Sequence, residues 1–161
     1  MRTAGLSPFS DMARMVIQSP VGPLTLSEAE GALTKIDFGG HADGREAESP
    51  VLEQAARELA EYFAGERREF TVPLAPEGTA FQKSVWEELR KIPYGETVSY
   101  KDIAVRLGRP GAAVAVGQAN SRNPIPIMIP CHRVIGANGK MVGYTGGMHI
   151  KKALLAVEGT L

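Results

Sequence analysis

The chain has 161 residues, with 18 Lys/Arg against 18 Asp/Glu, one Cys and three His. That length suits one large domain or two small ones with a buried core. The single cysteine excludes an intrachain disulfide, the scattered His41, His132 and His149 argue against a structural zinc site, and no apolar run approaches membrane-spanning length.

The zero net charge hides an asymmetry. Residues 1–78 carry 7 Lys/Arg and 13 Asp/Glu, a balance of −6; residues 79–161 carry 11 and 5, a balance of +6. A basic half is a hint of a polyanionic partner. The start of the chain shows no charged-then-apolar signal pattern, so the expected location is cytoplasmic, with no membrane association.

Residues 1–13 read as a loose leader. A strand follows from Met15 to Ser19, then a turn at Pro20-Val21-Gly22-Pro23, then a strand at Leu24-Thr25-Leu26. Glu30-Gly31 turns the chain again. Ala32, Thr34, Ile36 and Phe38 share one face of a third strand at period two. These three strands form an antiparallel meander, and residues 39–49 read as a loop. Ser49-Pro50 opens a helix in which Leu52, Ala55, Ala56, Leu59 and Phe63 recur at helical spacing, and Gly65 closes it. Phe70, Val72 and Leu74 alternate as a further strand, which Pro73 restricts to an edge. Residues 75–78 then form a linker.

Thr79 and Gln82 fit a capping box, and Phe81, Val85, Trp86 and Leu89 form the buried stripe behind it. Ser99 caps a short helix with Tyr100, Ile103, Ala104 and Leu107. Gly108-Arg109-Pro110-Gly111 turns into a second short helix over 112–119. The pair is a helix-turn-helix candidate. The second helix is built of small residues. It could lie close to a narrow groove of DNA, although its composition by itself favours a helix buried in the core. Asn123-Pro124 turns, and Ala137-Asn138-Gly139-Lys140 turns again. A last helix starts near Met148, with Leu154 and Leu155 inward and Lys151 and Lys152 solvated. Glu158 ends it before Gly159. A carboxylate there opposes the helix dipole and so calls for a partner such as a histidine or arginine.

Between these elements stands Pro130-Cys131-His132-Arg133. The thiolate is the reactive form of cysteine, and an ordinary thiol with a pKa of about 8.5 is mostly protonated at neutral pH. A histidine is the usual agent of activation. A lone cysteine is more often a small buried hydrophobe, and adjacency in the chain is not contact in space.

Taken with Asn123-Pro124, Val134, Gly143-Tyr144-Thr145-Gly146-Gly147 and Leu154-Leu155 with Glu158-Gly159, this stretch resembles the O6-alkylguanine-DNA alkyltransferases. The likeness extends upstream through Ile92-Pro93-Tyr94-Gly95-Glu96 and Val98-Ser99-Tyr100. It covers the C-terminal half strongly; the N-terminal half matches weakly, in arrangement and in Ser19-Pro20-Val21-Gly22-Pro23-Leu24. The resemblance implies an α+β fold: a small antiparallel sheet with a helix (RNase H-like) over 1–74, the linker, and a mostly helical domain with a helix-turn-helix over 79–161.

It also implies a function. The alkylated guanine is flipped from the duplex, and its O6 alkyl group (or one on O4 of thymine) passes irreversibly to Cys131. His132 takes the thiol proton through a water, Glu158 holds His132, and Asn123 braces the turn. Tyr100, Tyr144 and the backbone N–H of Thr145 donate to the base, and carbonyls near Cys131 and Val134 accept from its amine. Ala112, Ala113, Val114 and Gly117 would face the minor groove, with Arg109 and Arg122 near phosphates. The implied partner is double-stranded DNA bearing O6-alkylguanine, bound by a monomer in solution that is open to cooperative binding on DNA. Neither a metal nor a cofactor is implied. One position departs from the family: Val114 stands where these proteins carry an arginine that fills the space of the flipped base. That leaves a damage sensor, binding alkylated DNA with poor or no transfer, as the alternative.

Overall fold

The computed structural model describes residues 12–40, 49–136, 139, 144 and 146–161. The leader up to residue 11, most of the loop before Ser49, most of the turn at 137–140, Gly143 and Thr145 lie outside the described residues. The chain divides after Pro76 into two compact units.

The first unit holds strands β1 (Met12–Ile17), β2 (Leu24–Ala29) and β3 (Ala32–Phe38), paired antiparallel in that order. β1 starts earlier than its apolar pattern, because Met12 already pairs with Ala29. The strict period-two reading of β3 fails at one residue. Ser27 pairs with Lys35 but Glu28 pairs with Leu33, so Thr34 is an extra residue in the ladder. Such a bulge resets the alternation. Leu33 and Ile36 therefore both become buried.

Helix α1 (Pro50–Phe63) covers the sheet. Ser49 Oγ accepts from the Leu52 N–H at 3.0 Å, as its sequence signal requires. Its buried stripe is Leu52, Ala55, Glu58, Leu59 and Tyr62, so Tyr62 takes the inward place expected of Phe63. The buried Glu58 accepts from the Thr71 and Val72 backbone N–H groups at 3.0 and 3.2 Å and from the Thr71 hydroxyl at 2.6 Å. These bonds tie the segment after α1 back onto the helix. The strand expected over 70–74 shrinks to one parallel bridge between Leu33 and Leu74. Pro73 has no N–H to extend it, and only its carbonyl is used, by the Leu33 N–H at 2.8 Å.

The second unit holds α2 (Ala80–Leu89), β4 (Val98–Ser99), α3 (Tyr100–Arg106), α4 (Ala113–Ser121), a 3₁₀ turn (Cys131–Arg133), β5 (Val134–Ile135) and α5 (Met148–Val157). Capping boxes start α2, from Thr79 and Gln82, and α3, from Ser99 and Asp102. Trp86 is buried on α2, and its indole N–H donates to the Ala119 carbonyl at 2.9 Å, joining α2 to α4. α4 is not the wholly buried helix its composition favours. Val116, Ala119 and Asn120 face inward, whereas Val114 is 77% exposed and Gln118 is also exposed. Two very short strands complete the unit. β4 and β5 run parallel, with Val98 opposite Val134 and Ser99 opposite Ile135. This pairing sets the start of α3 beside the chain leaving Cys131. Among the described residues, no helix is long and apolar enough to cross a membrane.

Candidate active site

The turn from α4 to Cys131 is built around Asn123. Its Nδ2 donates to the Ile129 carbonyl at 2.7 Å, and its Oδ1 accepts from the Ile125 N–H at 3.0 Å. One buried amide thus closes both ends of a loop whose backbone groups have no helix or ladder to satisfy them. Inside the loop Ile127 has a φ of +76°, and its side chain is wholly buried. A β-branched residue in that region is strained by about 1–3 kcal/mol. The surrounding packing and Asn123 impose the shape. It ends in a tight turn, with the Cys131 N–H on the Ile129 carbonyl at 2.7 Å, and Cys131–Arg133 form a single 3₁₀ turn.

Cys131 is 4% exposed. Burial pushes its thiol up, against hydrogen bonds from Asn123 and Tyr144 and the charge of Lys151, which all favour the thiolate. Tyr100, at the start of α3, is half-buried; burial and then the Cys131 charge raise its hydroxyl. The structure therefore gathers Cys131, Asn123, Tyr100 and Tyr144 around one sulfur.

The two residues after Cys131 enter a buried ion cluster. His132 Nε2 meets Glu158 Oε2 at 2.7 Å. Arg133 clasps the same carboxylate, Nε on Oε1 at 2.8 Å and Nη2 on Oε2 at 2.9 Å, while Nη1 donates to the Ile92 carbonyl at 2.7 Å. Glu158 caps α5 at its C-terminal end, so the carboxylate that the dipole opposes has two partners, a histidine and an arginine. Burial works to raise Glu158, but the hydrogen bonds and charges of His132 and Arg133 outweigh it and hold it at about 2. Tyr94 supports the cluster from below. Its ring lies 5.7 Å under the Arg133 guanidinium, and its hydroxyl donates to the Val157 carbonyl at 3.0 Å.

The tautomer of His132 follows from this. An ionised carboxylate only accepts, so Nε2 carries the proton and Nδ1 carries the lone pair. Burial holds His132 below its ordinary range, opposed by Glu158. Nδ1 is buried with no hydrogen-bond partner. A neutral imidazole with a free lone pair, one residue along the chain from a thiol, can serve as a base.

Sequence reasoning left Arg133 without a role and placed Lys151 in solvent. Lys151 is 0% exposed, and its Nζ donates to the Val134 carbonyl at 2.7 Å. The available signal was the spacing of Lys151, Leu154, Leu155 and Glu158 at i, i+3, i+4 and i+7, which is one helix face. All four are buried.

The remaining expected residues lie on and around α4. Ala112 is its N-cap, Ala113 opens it, Val114 projects to solvent, and Gly117 is half-buried, within reach of the Tyr100 ring. Arg122 is exposed at the C-cap. Arg109 is exposed and stacks over Phe81 at 5.7 Å.

Comparison with known proteins agrees with this geometry. Residues 80–160 match the 6-O-methylguanine DNA methyltransferase, DNA binding domain, and residues 12–76 match the 6-O-methylguanine DNA methyltransferase, ribonuclease-like domain. A methylated-DNA–protein-cysteine methyltransferase of Methanosarcina acetivorans is 50% identical over 151 residues, spanning 90% of this chain and 97% of its own length. The constitutive enzyme of that name from Bacillus subtilis is 46% identical over 151 residues, spanning 88% and 92%. The crystal structure of Mycobacterium tuberculosis OGT in complex with DNA is similar with a TM-score of 0.83 and 49% identity, covering 91% of this chain and 92% of that one. With both units matched and Cys131 set in its buried turn, the chain belongs to the 6-O-methylguanine DNA methyltransferase family.

Proposed function

We propose that the chain is a methylated-DNA–protein-cysteine methyltransferase that transfers a methyl or larger alkyl group from O6 of guanine, and from O4 of thymine, in double-stranded DNA to Cys131. One observation carries the reading: a buried thiol braced by Asn123, followed directly by a histidine whose Nε2 is engaged by Glu158 and whose Nδ1 is free.

The target base leaves the stack, because its O6 substituent cannot be reached within it. His132 takes the thiol proton at Nδ1, through a water. The sulfur attacks the alkyl carbon in line; the S–C bond forms, and the C–O6 pair departs with guanine. Ionised Glu158 stabilises the imidazolium while the proton is held. Tyr144 and the Thr145 N–H donate to O6, and Tyr100 donates to the base. The carbonyls of Cys131 and Val134 accept from its amine. The product is a thioether, which water does not cleave, so each molecule acts once.

DNA binding and transfer are assigned to residues 79–161. The exposed Lys101, Arg106, Arg109 and Arg122 surround α3 and α4 and suit phosphate contacts, with Ala112, Ala113, Val114 and Gly117 toward the minor groove. Such binding weakens as salt rises. The protein works as a monomer in solution and can pack cooperatively along DNA, in the cytoplasm and on the nucleoid.

Intact-protein mass, before and after incubation with a duplex containing O6-methylguanine, tests the reading. A gain of one methyl group, absent in Cys131→Ala, is expected. The exposed Val114 favours one rival, a damage sensor with an uncharged wedge. Tight binding to the damaged duplex without a mass change would replace transfer by sensing.

A further inference from the structure

Arg133 takes no part in the transfer steps, yet it is buried and every nitrogen of its guanidinium is used. Nε and Nη2 hold the two oxygens of Glu158, at 2.8 and 2.9 Å, and Nη1 donates to the Ile92 carbonyl at 2.7 Å. A guanidinium stays charged across the working pH range, and its fork fits a carboxylate in two parallel bonds. The one negative charge of Glu158 is therefore already answered by one positive charge. His132 meets that same carboxylate, on Oε2 at 2.7 Å, and is wholly out of solvent. With a neutral imidazole the trio carries no net charge. With an imidazolium it carries a net positive charge out of water, which is costly to hold there.

We propose that Arg133 is a positioning residue for alkyl transfer: by sharing Glu158 it keeps His132 a neutral base, with its proton on Nε2 and its Nδ1 lone pair open, until negative charge forms on the Cys131 sulfur. The proton then leaves Sγ for Nδ1. The S–H bond breaks, the N–H bond forms, and the total charge of sulfur and cluster is unchanged. Without Arg133, Glu158 would face His132 alone. A carboxylate and an imidazolium are then the favoured pair, so the ring would carry its second proton before the thiol could give one up. The other groups packed around the ring do not supply this effect. Cys131 and Arg133 share its 3₁₀ turn, Glu158 and Lys151 come from α5, and α2 turns Val85, Trp86 and Leu89 inward. Tyr94, under Arg133, and Tyr100 and Tyr144, toward the sulfur, are neutral. Burial lowers His132 most and Glu158 opposes it; the charge of Arg133, and after it that of Lys151, adds to the lowering.

The proposal rests on the alkyl-transfer reading and is tested apart from it. The chain has three histidines. Nitrogen-15 magnetic resonance reads the tautomer and charge of His132 in the full chain, with no DNA present and with His132→Gln as the blank that assigns its signals. In Arg133→Met, and in Arg133→Gln, which can still donate to Glu158 without a charge, the His132 midpoint is expected to rise by about one to three pH units. Arg133→Lys restores the charge and should bring it back down. The acid limb of the pH–rate profile of methyl transfer should move up with the midpoint, and transfer should recover at higher pH. A merely structural loss would lower the rate at every pH alike. That result, or an unmoved midpoint in either folded variant, overturns the proposal. If neither uncharged variant folds, the unsubstituted chain decides. A ring that is neutral and protonated on Nε2 at neutral pH supports the proposal, and an imidazolium there, or a proton on Nδ1, overturns it. A raised His132 midpoint in a chain that transfers no methyl group would support the hold of Arg133 on the base and count against the repair reading.

Discussion

Arg133 grips Glu158 with two parallel hydrogen bonds, at 2.8 and 2.9 Å, across 25 residues of chain. This fork takes the carboxylate out of contention as a proton acceptor. Glu158 then has one remaining task toward His132, which is to fix its tautomer and oppose its charge. The pair is structural and chemical at once, because the arginine that anchors α5 to the reactive turn also keeps Glu158 ionised.

Acid stability should report this cluster. The folded-state pKa of Glu158 is about 2, below its ordinary 4.5. The unfolded chain thus binds more protons between those values, so its contribution is fully present above about 4.5 and disappears as pH falls toward 2. His132 has the same sign, since burial holds it below its ordinary 6.5, and it begins to cost stability as pH falls through that value. Denaturant unfolding at a series of pH values is expected to show a decline below 6.5 that steepens below 4.5. Glu158→Gln should flatten the lower part and cost about 3–5 kcal/mol at neutral pH, because Arg133 is left buried without its counter-charge. An unchanged acid limb in that variant would remove Glu158 as its cause.

Asn123→Ala should be costly out of proportion to its size. It strands the Ile129 carbonyl and the Ile125 N–H, both buried, at about 1–3 kcal/mol each. It also frees the strained turn at Ile127 and removes a hydrogen bond that favours the thiolate. Single-turnover transfer is expected to slow by more than an order of magnitude in protein that is still folded. A rate equal to that of the unsubstituted chain would mean that Cys131 holds its place without the amide.

Val114→Arg tests the departure on α4. Because Val114 is 77% exposed, the substitution should change unfolding stability by no more than about 0.5 kcal/mol. On duplex DNA bearing O6-methylguanine it should tighten binding by up to about tenfold, roughly 1.4 kcal/mol, with a steeper salt dependence. Transfer at saturating duplex should also accelerate. Equal affinity and rate would show that another side chain, Arg109 or Arg122, already fills the gap left by the flipped base.

Much of this protein could be read before its fold was known. Ser49, Thr79 and Ser99 each announce a helix, because a capping bond joins groups only two or three residues apart. Trp86 was placed in the core by its helical stripe, and it is there. The Cys131-His132 dipeptide marked the site, and the helix dipole at Glu158 demanded partners. Other features were misread for definite reasons. The bulge at Thr34 shifts the inward face of β3, and a bulge depends on the partner strand. Lys151 reads as solvated because lysine usually is, and only the packing of the α5 face it shares with Leu154, Leu155 and Glu158 buries it.

The sequence by itself determined where helices begin, which residue is the sole thiol and which family the site resembles, since all of these rest on local chemistry or contiguous motifs. Only the tertiary structure decided that Arg133 and His132 share Glu158, that Lys151 lies behind Val134, and that β4 pairs with β5. Those contacts join residues 17 to 36 positions apart. Their energies come from desolvation and charge pairing, which have no meaning until packing has removed the water.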